Sequence, residues 1–106
     1  GGVHHDALAA LGAVELAFAR PERALALLER ALAEPARLRH PLEAEANLAL
    51  AELATGDAAA GLARLRAAGQ RFAASGDLAN AGRCLRNGLR YAQGTPDRLD
   101  DEDWRR

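Results

Sequence analysis

The chain has 106 residues, 14 basic and 15 acidic, and a formal charge of −1: one domain or part of one, with no overall field to attract nucleic acid or an anionic membrane. Apolar residues make up 49% of it and aromatics only 4%, so the core is expected to be thin and built from Ala and Leu, which suits closely packed helices and argues against a β-sandwich rich in β-branched residues. A lone Cys84 rules out an internal disulfide and points to a reducing compartment, and no apolar run of about 18 residues or signal-peptide pattern marks a membrane span or a targeting segment.

Residues 1–4 are expected to be a disordered N-terminus or a remnant of expression. Beyond them the punctuation is regular: Arg20-Pro21, His40-Pro41, Gly56-Asp57, Gly76-Asp77 and Gly94-Thr95-Pro96. Pro is free of cost at the first helical position, where its missing N–H would be unpaired anyway, and Asp caps free N–H groups at the positive end of the helix dipole. Each break is therefore a helix stop followed by a helix start. The pattern predicts helices over about 5–19, 21–34, 41–55, 57–74 and 77–93, and no strand, since no segment alternates with period two.

These segments are amphipathic. In the second, Ala24, Leu25, Leu27, Leu28, Ala31 and Leu32 share one side, with Glu22, Arg23, Glu29 and Arg30 opposite. In the fourth, Leu62, Leu65, Gly69 and Phe72 align against Arg64 and Arg71; in the fifth, Leu78, Ala81, Cys84, Leu85, Gly88, Leu89 and Ala92 make the apolar side. A helix with one apolar stripe needs a neighbour, and short connections make that neighbour antiparallel.

"LATGD" at 53–57 and "AASGD" at 73–77 mark one helix plus one turn, and a longer repeat overlies them. Leu8-x-x-Leu11-Gly12 opens a helical pair whose second helix holds Ala24, Leu28 and Ala31. Glu45-x-x-Leu48-Ala49 opens another, backed by Gly61, Leu65 and Ala68, and Leu85-x-x-Gly88-Leu89 opens a third. Small residues at Gly12, Ala24, Ala31, Ala49, Gly61 and Ala68 fall where facing helices would cross closely. At these residues the sequence resembles a tetratricopeptide repeat, in the longer-period variant of bacterial regulators and signalling ATPases. "LAALG" at 8–12 and "ALALLERA" at 24–31 carry the pattern, and "GDLANAGRCLRNGL" at 76–89 is similar to the segment that follows a helix-ending Gly-Asp in that variant. Glu15 and Glu52 stand in the slot the family fills with an aromatic, and Pro35 comes one residue early. The resemblance covers about 5–93 and implies an all-α fold: about five helices in antiparallel hairpins, stacked as a short solenoid whose inner groove binds a peptide, a protein segment or another helical surface.

On a helix, Arg83, Arg86 and Arg90 fall within about 60° of one another, with Asn87 beside them. The resemblance maps them to first-helix positions facing the groove, and puts Asn47 and Asn87 in equivalent places of successive repeats. Three guanidiniums on one face suit an acidic peptide or a C-terminal carboxylate. The other readings are a solvated polar face and pairing with the acidic tail "DRLDDEDW" at 97–104, where surface pairs are worth only about 0–1 kcal/mol each. Further along the inner surface, Ala9, Ala13, Leu16 and Ala17 would line the first helix, and Glu43, Ala46, Asn47, Leu50 and Leu53 the second. That lining suits an apolar helix or strand, unless those residues simply pack inside.

No set of residues points to a metal, a cofactor or a reaction. His4 and His5 are adjacent, so on a helix they diverge and cannot chelate as an i, i+4 pair can, and His40 stands alone before a Pro. Cys84 lies on an apolar face, where burial makes a thiol inert. Asp57 and Asp77 read as caps, Glu15 and Glu52 as exposed or Arg-paired, and "GDAAAG" at 56–61 lacks the Lys and Ser/Thr of a phosphate loop. Residues 94–106 form a polar tail that either supplies a short capping helix, with Trp104 covering the open end of the array, or is disordered.

All fourteen cations are Arg, and this bias, with the excess of Ala, Leu and Gly, reads as a GC-rich bacterial genome. The chain has no Met, so a processed product or, in preference, a piece of something longer is expected. Together these features suggest a non-enzymatic interaction scaffold from a larger cytoplasmic bacterial regulator, without nucleic acid, membrane or cofactor. The alternatives are a sensor domain that binds a small anionic ligand or signalling peptide and passes on a hinge change, or a self-associating structural segment.

Overall fold

The structure is a computed structural model that describes the backbone of residues 2–92 and the side chains of 4–91. The expected tail, 94–106, lies outside the described residues. The fold is all-α, with α1 at Gly2–Ala17, α2 at Pro21–Ala31, α3 at Pro41–Ala54, α4 at Ala58–Ala74 and α5 at Leu78–Ala92. A 3-10 turn at Pro35–Arg37 joins α2 to α3, and no strand occurs among the described residues.

Local chemistry sets the helix ends. Pro21 and Pro41 open α2 and α3. The carboxylates of Asp57 and Asp77 accept hydrogen bonds from the backbone N–H groups of Ala60 at 3.4 Å and Asn80 at 3.2 Å, capping α4 and α5. Before each Asp, a Gly takes the left-handed conformation, φ +97° at Gly56 and +85° at Gly76. Each Gly N–H then donates back three residues, to Leu53 at 3.2 Å and Ala73 at 3.0 Å, and each Asp N–H donates back five, to Glu52 at 2.9 Å and Phe72 at 2.8 Å. This pair of bonds satisfies carbonyls that a helix end leaves open. Thr55 and Ser75 reinforce it by donating their hydroxyls to Ala51 and Phe72. The two "GD" segments are thus the same device used twice.

Three boundaries differ from the sequence expectation. α1 begins at Gly2, ahead of residue 5, so residues 2–4 belong to the helix. It ends at Ala17 rather than 19, because Ala19 takes φ +58° and closes the same reversal without a glycine: Ala19 N–H donates to Leu16 and Arg20 N–H to Glu15. α2 stops at Ala31 rather than 34, because Pro35 holds Glu34 out of the helical region, at φ −133° and ψ 78°.

Each helix packs on the one before it, and α1 also meets α3. The pairs run antiparallel: early α1 meets late α2 at His5 and Ala31, late α3 meets early α4 at Leu53 and Gly61, and late α4 meets early α5 at Gly69 and Cys84. Small residues set the spacing. A Cβ on Gly12 would lie 2.6 Å from the Leu28 side chain, and one on Gly61 would lie 2.7 Å from Leu53 and 3.0 Å from its backbone nitrogen. The core has two parts. Leu8, Leu28 and Leu38 meet Ala44, Leu48 and Ala51 of α3 in one, while Ala49, Leu50 and Leu53 of α3 meet Leu65, Phe72 and Cys84 in the other. α3 is therefore central, apolar on two sides, and its polar residues are squeezed onto what remains.

Candidate functional site

A groove of 610 Å³ lies between α1 and α3. Its α1 wall is Asp6 followed by Ala7, Ala9, Ala10 and Ala13; its α3 wall is Glu43, Ala44 and Asn47, with Leu38, Arg39 and His40 closing one end. Alanines keep the α1 wall low, so the backbone lies near the surface. Asp6 holds the closed end in place: its Oδ1 accepts from the Arg39 N–H at 3.0 Å, and its Oδ2 lies 3.8 Å from Arg39 Nε. His5 ties the same end to α2, with Nδ1 at 3.3 Å from the Ala31 carbonyl oxygen and Nε2 at 3.1 Å from Glu34.

Of the residues expected on the inner surface, Ala9, Ala13, Glu43 and Asn47 line this groove. Leu50 and Leu53 do not. They are 7% and 2% exposed inside the second core, where α3 turns toward α4, and Ala46 packs against the same cluster. Leu16 packs against both cores, and Ala17 is exposed.

The arginines occupy a separate face, on α5. Arg83, Arg86 and Arg90 are half-buried, and none of them is without a partner. Arg83 Nη1 donates to Asn80 Oδ1 at 3.5 Å, and Asn80 Nδ2 donates to Asp77 Oδ2 at 2.8 Å, so the helix cap and the first arginine form one polar chain. These bonds from Asn80, side chain first and backbone second, hold the Asp77 carboxyl below its ordinary range. Asn87 is 0% exposed, and neither its Oδ1 nor its Nδ2 makes a hydrogen bond. Asn87 is therefore an enclosed amide, and Asn47, its counterpart by sequence, is half-exposed in a groove.

The rest of α5 divides between packing and solvent. Cys84 lies on α4, where burial pushes its thiol pKa up and outweighs the lowering effect of Arg83, so it is a core residue and a poor nucleophile. Leu78, Leu85 and Leu89 are 72%, 65% and 53% exposed. The last two line a 520 Å³ groove between α4 and α5, together with Leu62, Leu65, Gly69 and Ala73.

A third polar cluster was not legible as one in the sequence. Arg64 donates from Nη1 to Glu45 Oε2 at 2.7 Å and from Nε to Glu52 Oε1 at 2.8 Å. The bond to Glu52, above all, raises the Arg64 pKa further, against a smaller opposing effect of burial. Glu15 pairs with Arg20 at 3.3 Å and lies 3.9 Å from Arg23. The signal for Arg64 was Glu45 and Glu52 seven residues apart on one helix face, which leaves a cation from α4 as the natural partner.

Among the described residues, no group of three or more His, Cys, Asp or Glu could hold a metal ion, and no helix is long and apolar enough to cross a membrane. No family model, curated protein or solved structure matches this chain.

Proposed function

We propose that the chain is a non-enzymatic interaction module that binds a peptide or protein segment of acidic character. In this reading its hairpins stack as a short tetratricopeptide-like solenoid within a larger cytoplasmic bacterial protein. The observation that carries the proposal is the groove between α1 and α3, walled by Ala9, Ala10 and Ala13 on one side and by Asn47 on the other. An extended peptide needs room for its backbone and a side-chain amide to read it. Alanines supply the first, and Asn47 supplies a donor and an acceptor. Arg83, Arg86 and Arg90 supply a second, separate cationic face on α5 for acidic groups of the partner. Leu50 has no part in this, being enclosed in the core.

The test is fluorescence anisotropy with labelled acidic peptides, using hexaglutamate as the probe. Ala10→Trp, which fills the groove, and the pair Arg86→Ala/Arg90→Ala are each expected to weaken binding by about tenfold, roughly the loss of one charge-assisted contact. Affinity unchanged in both variants overturns the reading. Self-association is the second reading, favoured by the exposure of Leu78, Leu85 and Leu89 beside an apolar groove. Light scattering over a concentration series tests it, and a strict monomer removes it.

A further inference from the structure

We propose that the groove between α4 and α5 binds a free fatty-acid anion, with the hydrocarbon chain along Leu62, Leu65, Leu85 and Leu89 and the carboxylate at Arg66 and Gln70. This site is separate from the groove between α1 and α3, so the inference does not depend on the peptide-binding reading. The first argument is the lining. A volume of 520 Å³ is of small-molecule size, and an apolar wall with a few polar groups at one edge is the usual form of such a site. Glycines keep it open. A Cβ on Gly69 would stand 3.1 Å from Cys84 Cβ, so α4 and α5 approach closely there. A Cβ on Gly88 would stand 3.8 Å from Leu65 Cδ2, so the missing side chain leaves room over Leu65. Leu85 and Leu89 stand beside that space and are largely exposed. A hydrocarbon chain laid between them and Leu62 covers apolar surface that solvent otherwise meets.

The second argument is charge. Two side chains of the lining carry strong hydrogen-bond donors, Arg66 and Gln70, both on α4 and both exposed. They stand four residues apart, and side chains at that spacing are neighbours on a helix surface. Together they offer N–H groups and one positive charge to a carboxylate, which only accepts. Arg66 pairs with no carboxylate among the described residues, in contrast to Arg64, which holds Glu45 and Glu52. The lining contains no acidic residue, whereas that of the groove between α1 and α3 contains Asp6 and Glu43. The Cys84 thiol is buried with a raised pKa and stays neutral. The groove therefore presents a single positive charge at its rim and hydrocarbon elsewhere, which suits a single anionic head on an apolar chain. Length agrees with this. Gln70 and Leu62 are eight residues apart, about 12 Å along α4, the run of an extended acyl chain of medium length.

The test is isothermal titration calorimetry of the full chain with decanoate, held below the concentration at which it forms micelles. A single decanoate is expected to bind per chain. Decylammonium, which meets Arg66 with like charge, is expected to bind about tenfold more weakly or worse. Octanoate, two methylene groups shorter, is expected to bind about tenfold more weakly than decanoate, the loss that burial of the chain predicts. Two variants separate head from chain, and their positions are exposed, so the helices remain folded. Arg66→Gln is expected to weaken decanoate by about tenfold and to abolish its advantage over decylammonium. Leu85→Gln/Leu89→Gln is expected to weaken decanoate by about tenfold and to shrink its advantage over octanoate. Equal binding of decanoate and decylammonium, or unchanged affinity in Arg66→Gln, overturns the carboxylate contact and the proposal with it. No binding, binding of many decanoates without saturation, or affinity indifferent to chain length or to Leu85→Gln/Leu89→Gln overturns the site itself. The peptide-binding reading is decided separately, by hexaglutamate and Ala10→Trp at the other groove.

Discussion

Arg64 Nε donates to Glu52 Oε1 across 2.8 Å, joining α4 to a glutamate on α3 that is only 8% exposed. Glu45 shares the same guanidinium at 2.7 Å, so one α4 cation serves two α3 carboxylates. Removing the cation alone would strand Glu52 among Ala49, Leu50 and Leu53, which is costly for an enclosed charge. Arg64→Leu is expected to lower stability by about 2 kcal/mol, less than a fully buried pair would lose because the arginine is partly solvated. Glu52→Leu/Arg64→Leu should lose less than Arg64→Leu alone, since it leaves no enclosed carboxylate at position 52. Urea denaturation of the two variants makes the comparison, and a double variant less stable than the single one would refute the account.

Ala19 offers a gain rather than a loss. It closes α1 at φ +58°, where an L side chain is strained and glycine is not. Gly56 and Gly76 occupy the corresponding positions after α3 and α4. Ala19→Gly is expected to raise the urea midpoint, with a gain of about 0.5–1 kcal/mol at unchanged slope. A lowered midpoint would mean that the added freedom of the unfolded chain outweighs the relief of strain.

The same residue shows which features were legible beforehand. Breaks announced by Pro or by Gly-Asp were readable because their chemistry is local: a missing N–H, a left-handed glycine, a capping carboxylate. The end of α1 was not, because alanine gives no sign of left-handed geometry. The same limit applied to the site. Ala9, Ala13 and Asn47 were placed on an inner surface by the repeat resemblance, and they line the groove between α1 and α3. Leu50 follows the alternative left open for that lining and packs inside; α3 is apolar on two sides, and its own periodicity does not say which side meets α4. The partner of Glu52 lay on another helix, beyond any local rule.

Asp77 makes stability depend on pH. Hydrogen bonds from the Asn80 side chain and backbone favour its charged form, so its folded pKa lies below the ordinary carboxylate value of 3.8. A depressed folded pKa means that the unfolded chain binds the proton more readily. The stabilisation is therefore complete above that ordinary value and is lost as pH falls through the folded one. Asp77→Asn keeps a capping oxygen and removes the titration. Its melting temperature is expected to fall less than that of the parent chain between pH 5 and about pH 2.5. Parallel losses in the two proteins would show that Asp77 does not contribute to the acid limb.

Asn87 separates stability from binding. Its amide is 0% exposed and unbonded at both ends, and a buried polar group in that state costs about 1–3 kcal/mol. Asn87→Ala removes the cost and leaves only a small void in a helix that favours alanine. The variant is expected to be more stable by about 0.5–1.5 kcal/mol, read from its urea midpoint. Because the amide is enclosed and cannot touch a bound segment, the stabilised variant should bind hexaglutamate as the parent chain does. A variant less stable than the parent would show that the packing of the amide outweighs its unmet hydrogen bonds.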